Sequence, residues 1–308
     1  MRGQNDARTA VRAGETIPLS LDQKPISELV NERFDELTRA ERQLANSLLD
    51  NYPVSGLTSI TAVAKKASVS TPTVARMVQK LGFKGFPEFQ SALRDELEAK
   101  ISNPIVRHDR WAENAPDTHI LNRFAEQVMQ NLQQTLAQID PASFDRVCAL
   151  LADPKRSIFI AGGRITRPLA EYLFSLMRMV RPNVALVPTS TSSWPDFLLD
   201  VRPGDVLVLF DIRRYENHIL RLAELAADRG MDNVLFTDQW GSPVAQYAAH
   251  RLNCRIEAPS AWDSVAVILV MLETMVAQIQ AASWKTTHKR MEDLEGIFNR
   301  TGLFRRFK

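Results

Sequence analysis

Two cysteines and five histidines in 308 residues leave little material for a disulfide framework or a metal centre. Cys148 and Cys254 stand far apart in apolar surroundings, which reads as two buried, reduced thiols. The histidines are scattered and no Cys/His pair has ligand spacing, so neither a metal nor any other cofactor is expected. Long apolar runs are missing too. The longest, around Val265 to Val270, is too short and too polar-flanked to span a bilayer. The early arginines lead into no apolar segment, so no secretory signal is expected. These absences predict a cytoplasmic protein with no membrane partner. One absence is local: between Asp50 and Glu88 there is no acidic residue, only Lys65, Lys66, Arg76, Lys80 and Lys84. The whole chain has a formal net charge of just +2, so this window, rather than the balance of the chain, concentrates positive potential.

Inside that window, Ser59 to Gly82 reads as two short helices joined by a tight turn, the second presenting polar and basic side chains. That arrangement places a helix in the major groove of DNA. Ser70 is the expected N-cap of the second helix. Val74, Met77, Val78 and Leu81 form its inward stripe, leaving Thr71, Thr73, Arg76, Gln79 and Lys80 outward. Arg76 suits a guanine edge, and Thr71 or Thr73 a phosphate or a thymine methyl. Lys65, Lys66 and Lys84 suit phosphates, and the plainer reading makes all of these solvated charges on a small helical domain.

Around this window the chain divides. Residues 1–24 show little periodicity and are expected to form a disordered leader. A helix-turn-helix domain is expected over 25–101. Ile26, Leu29, Val30 and Phe34 make an early apolar stripe, and Thr38 with Glu41 makes a capping box. Residues 102–118, with Asn103-Pro104 and Ala115-Pro116, read as a linker. Over 119–282 a long helix, His119 to Ile139, and a shorter one, Ala142 to Leu151, precede an alternation of strands and helices. Five strands are expected near Ser157–Ala161, Asn183–Val187, Asp205–Phe210, Asn233–Phe236 and Arg251–Ile256. The third is a continuous apolar run of the kind covered on both faces of a parallel sheet. The pattern argues an α/β, doubly wound, five-stranded parallel sheet behind an all-α domain. Trp262 to Gln280 should be a very apolar helix, covered by its own subunit or by a second copy, and the charged tail 283–308 is expected to be half helical.

Together the two halves resemble one family. Leu37-Thr-Arg-Ala-Glu-Arg-Gln-Leu-Ala45, Ala67-Ser-Val-Ser-Thr-Pro-Thr-Val-Ala-Arg76 and Leu81-Gly-Phe-Lys-Gly-Phe-Pro-Glu-Phe89 look like the RpiR-type bacterial regulators. The resemblance implies an N-terminal helix-turn-helix joined to a sugar-isomerase (SIS) domain that senses phosphosugars. It further implies double-stranded operator DNA as a partner, a homodimer or homotetramer, and repression of catabolic genes more often than activation. Such SIS domains carry Gly-x-Gly-x-Ser after the first strand; here the stretch is Gly162-Gly163-Arg164-Ile165-Thr166. Their Ser-x-Ser-Gly-x-Thr loop after the third strand is replaced by Asp211-Ile212-Arg213-Arg214-Tyr215-Glu216, which has none of those hydroxyls. Thr237 and Ser242-Pro243 do match later family elements.

Ligands of open α/β sheets bind at the carboxyl ends of the strands near the switch in strand order. Arg164, Arg213 and Arg214 follow two such ends, and guanidinium forks suit a carboxylate or phosphate. One expectation is therefore an anionic, sugar-like effector held by arginines. The other is a closed pocket in which Asp211 and Glu216 pair with those arginines. Thr189 to Ser193 reads as loop, and Trp194 and Trp240 as packing residues rather than stacking platforms. No catalytic residue is assigned. The rival reading, a sugar-phosphate isomerase or lyase with an added helical domain, would nominate Glu216 or His218 as base.

Overall fold

The computed structural model describes residues 24–105, 107–108 and 119–305. The leader, apart from its last residue, and most of the linker lie outside the described residues. The chain divides into two compact units, residues 1–95 and 96–308.

The first unit is helical: α1 (Ile26–Glu32), α2 (Arg39–Leu49), α3 (Ile60–Lys66), α4 (Thr71–Lys80) and the start of α5 (Phe86–Ile101). Its helix ends are set by local chemistry. Thr38 caps α2 in the expected box: Glu41 N–H donates to Thr38 Oγ1, and Thr38 N–H donates to Glu41 Oε2. Between α3 and α4, Ser68 takes the left-handed conformation (φ 54°), and Val69 N–H reaches back to the Ala64 carbonyl. That six-residue closure turns the chain tightly enough for α4 to begin at once, with Ser70 as N-cap and Pro72 in the first turn. Val74, Met77, Val78 and Leu81 point inward against Leu44, Leu48, Phe89 and Leu93.

The second unit holds α6 (Ile120–Gln138), α7 (Pro141–Ala152), β1 (Ile158–Gly162), α8 (Arg167–Val180), β2 (Val184–Leu186), α9 (Trp194–Leu199), β3 (Val206–Phe210), α10 (Asn217–Asp228), β4 (Asp232–Asp238), β5 (His250–Cys254), α11 (Ala266–Ala282) and α12 (Trp284–Thr301). The sheet is wholly parallel, in the order β2-β1-β3-β4-β5. Along β3 the expected two-sided burial holds. Val206, Val208 and Phe210 pack with α7, α8 and α11 on one face, while Leu207 and Leu209 pack with α9 and α10 on the other. Cys148 and Cys254 are buried free thiols, and burial pushes them up to about 11 and about 12 respectively.

Two elements depart from the sequence-based expectation. The tail is helical from Trp284 to Thr301, not half so, and ends where Gly302 adopts φ +65°. The α9 turn, with Pro195 near its start, was not anticipated; it seats Trp194 in the core, where the indole N–H donates to the Pro188 carbonyl at 3.0 Å. In α11 the stripe Val267, Ile268, Met271, Leu272, Met275, Val276 and Ile279 is buried within the subunit, whereas Val270 stays exposed. Among the described residues, no single helix is long and apolar enough to cross a membrane.

Candidate DNA-reading helix and switch-point site

On α4 the exposed face carries Arg76 and Gln79, with Ser70 exposed at its start and Thr71 half-buried. Lys65, Lys66 and Lys84 are exposed on the flanking segments, Lys66 Nζ also lying 3.3 Å from Ser55 Oγ. Two expected outward residues are placed differently. Thr73 is buried (6% exposed), and its hydroxyl meets Ser70 Oγ at 2.8 Å, because a side chain at the third helical position turns back toward its cap. Lys80 spans to the buried Glu41 carboxylate at 2.7 Å, and Arg33 donates to the Lys80 carbonyl at the end of α4. These two contacts anchor the helix to α1 and α2 and leave Arg76 and Gln79 as its outward polar pair.

In the second unit the strand order reverses between β1 and β3, and the chain segments leaving those strands form the switch-point crevice. Thr166 Oγ1 accepts from Gly163 N–H and donates to the Phe210 carbonyl, each at 2.8 Å, tying the two strand ends together. Glu216, from the β3–α10 loop, reaches across: its Oε1 accepts from Arg164 N–H at 2.6 Å, and its Oε2 lies 3.3 Å from His218 Nδ1. A Cβ at position 163 would come within 2.2 Å of that carboxylate, so a side chain there would have to push Glu216 aside. Asp211 accepts from Glu216 N–H at 3.2 Å and from the Ser242 hydroxyl, while Ser242 N–H donates to Thr237 Oγ1 at 3.0 Å. Burial, opposed by those hydrogen bonds and reinforced by the charges of Asp238 and Glu216, pushes Asp211 up to about 7.

The three arginines part company. Arg164 and Arg214 are exposed in the loops flanking the crevice, Arg214 with φ +66°. Arg213 turns inward instead. Its side chain is 3% exposed, stacks over Trp240 at 4.0 Å, and lies 3.6 Å from Glu257 and 3.5 Å from Asp263. Asp263 in turn pairs with Arg107 at 2.8 Å. Neither half of the expected pairing with Asp211 and Glu216 occurs: Glu216 bonds a backbone amide, and the partners of Arg213 follow β5. Sequence reasoning also missed Asp238, fully buried at the end of β4. It accepts from Tyr215 OH, from Arg213 N–H and from the backbone N–H groups of Trp240 and Gly241. Burial holds Asp238 above the usual carboxylate range against these bonds. Its one sequence signal is an acid two residues beyond the apolar run Val234-Leu235-Phe236. Lys100 joins the same cluster, donating to the Gly241 carbonyl at 3.0 Å and sitting over the Tyr215 ring. No group of histidines, cysteines or acids able to hold a metal occurs among the described residues.

Comparison with known proteins agrees with both units. Residues 25–100 match the helix-turn-helix domain of the rpiR family, and residues 150–278 match the SIS domain. The transcriptional regulator HexR of Pseudomonas aeruginosa is 26% identical over 224 residues, 72% of this chain and 76% of that protein. Two solved structures share the fold. The Vibrio vulnificus NanR protein, complexed with ManNAc-6P, has a TM-score of 0.52 at 17% identity, covering 90% of this chain and 98% of that one. The sugar isomerase domain of an RpiR transcription factor from Sphaerobacter thermophilus has a TM-score of 0.54 at 18% identity, covering 58% and 99%. A helix-turn-helix unit ahead of a parallel-sheet SIS domain defines a transcriptional regulator of two-domain type. The chain belongs to the RpiR family.

Proposed function

We propose that this regulator binds operator DNA through α4 and its preceding turn, and that a small, anionic, sugar-like metabolite at the switch-point crevice alters that binding. The observation that carries the first half is the exposed face of α4: Arg76 and Gln79 point outward, and Lys65, Lys66 and Lys84 flank them with no acid between Asp50 and Glu88. Support for the second half comes from Arg164 and Arg214, exposed on either side of the crevice, and from the phosphosugar bound by the NanR relative. A homodimer or homotetramer working in the cytoplasm fits a palindromic operator, whose half-sites repeat at whole helical turns. Exposed Tyr172, Met179 and Val270 on α8 and α11 offer apolar surface for such pairing.

An isomerase or lyase reading draws on the Glu216–His218 pair. Against it, the hydroxyls of Thr166, Thr237 and Ser242 already have partners within the protein, which leaves a substrate little to be fixed by. The test is a binding titration of the purified protein on DNA flanking its own gene, with and without sugar phosphates, alongside an assay for ketose–aldose phosphate turnover. Operator binding that a sugar phosphate shifts, without turnover, supports the regulator; turnover without operator binding would refute it.

A further inference from the structure

The crevice between β1 and β3 is bridged by a charge of the protein's own. Glu216 belongs to the β3–α10 loop, yet its carboxylate accepts from Arg164 N–H in the loop after β1. Gly163 leaves room for it there, where a Cβ would come within 2.2 Å of the carboxylate. The neighbouring Gly163 N–H is engaged by Thr166 Oγ1, and the Arg164 N–H by Glu216. The base of the Glu216 side chain is fixed by its own N–H on Asp211, while the side chain remains 29% exposed and within reach of solutes. Carboxylate and phosphate ask for the same partners, N–H donors and nearby cations. The cations that flank this position, Arg164 and Arg214, are exposed. Asp211 and Asp238 are buried nearby, Asp211 accepting from the Glu216 N–H itself.

We propose that Glu216 is the specificity-determining residue of this site: its carboxylate holds the anion position between the two loops, and an anionic ligand binds only by displacing it. This rests on the crevice being the effector site. Displacement frees Arg164 N–H for the ligand and turns the Glu216 charge out to solvent. A neutral polyol brings no competing charge and gains nothing from removal of the carboxylate.

The experiment is calorimetric titration of the full-length protein with inorganic phosphate at constant ionic strength, with sorbitol as neutral probe. Wild type is compared with Glu216→Gln, Glu216→Ala and a control, Glu224→Gln, which removes one charge further along α10. Phosphate affinity should rise about tenfold or more in both Glu216 variants, the scale of one charge–charge interaction near a protein surface. It should stay at the wild-type level in the control, and sorbitol should show no such gain. Equal phosphate affinity in wild type and Glu216→Gln, or an equal gain in Glu224→Gln, overturns the proposal. Melting curves check folding; should the alanine variant be unfolded, the near-isosteric glutamine variant decides. Operator binding by the same samples without phosphate is scored separately. Its absence in wild type refutes the regulator reading, while the phosphate comparison still decides the role of Glu216.

Discussion

At the scale of single residues, the most consequential side chains are buried acids whose partners are mostly neutral. Asp211 is 2% exposed and carries no direct cation; the Ser242 hydroxyl and the Glu216 N–H are its donors. With its folded value pushed up to about 7 from an ordinary 3.8, Asp211 keeps a proton in the folded state that the unfolded chain has already released. Its contribution to stability is therefore full below pH 3.8 and lost as pH rises toward about 7. Asp211→Asn removes that titration. Melting temperatures of the variant relative to wild type should move in the variant's favour as pH is raised across this window, and a difference that stays flat would show that Asp211 ionises normally. Thr73 marks a limit of sequence reading at this scale. The apolar stripe of α4 left it on the outward face, but its hydroxyl turns back to Ser70 and it lies inward.

Among elements, α4 joins sequence pattern to function most directly. Its apolar stripe, its N-cap and its position after an acid-free turn were all legible, because each depends on neighbours within one or two helical turns. If α4 reads bases, Arg76→Ala should cost about 1–3 kcal/mol on the specific site and relax preference at one base position. Fluorescence anisotropy on operator and scrambled duplexes measures this; unchanged operator affinity would remove Arg76 from the reading face. The sheet was legible for the same local reason: β3 is apolar at every position, and its two-sided burial follows. What stayed hidden was long-range. The partners of Arg213 follow β5, and nothing near position 213 signals Glu257 or Asp263. The α12 helix was under-read because its residues are mainly exposed, with only Thr287 fully buried, so no apolar stripe announces it.

For the molecule as a whole, the proposed regulator would have to connect an effector at the strand ends with the helix-turn-helix unit. The chain leaving the helix-turn-helix runs through α5, whose Phe89 and Leu93 lie in the first core and whose Ala99 lies in the second. Just beyond, Lys100 is tied to the Gly241 carbonyl and to Tyr215, and Arg107 to Asp263 and thereby to Arg213 in the β3–α10 loop. Under the proposed reading, an effector that moved that loop would disturb these ties. Arg107→Ala should shrink the change in operator affinity that an effector produces while leaving effector binding measurable by calorimetry. A variant that responds in full would place the coupling elsewhere.

Operator binding by this chain is tested by selection of genomic fragments with the purified protein, followed by sequencing. A short palindrome recovered reproducibly, its recovery shifted by an anionic sugar-like metabolite, is the predicted result. Fragments no more enriched than by non-specific binding, with and without such metabolites, would contradict it.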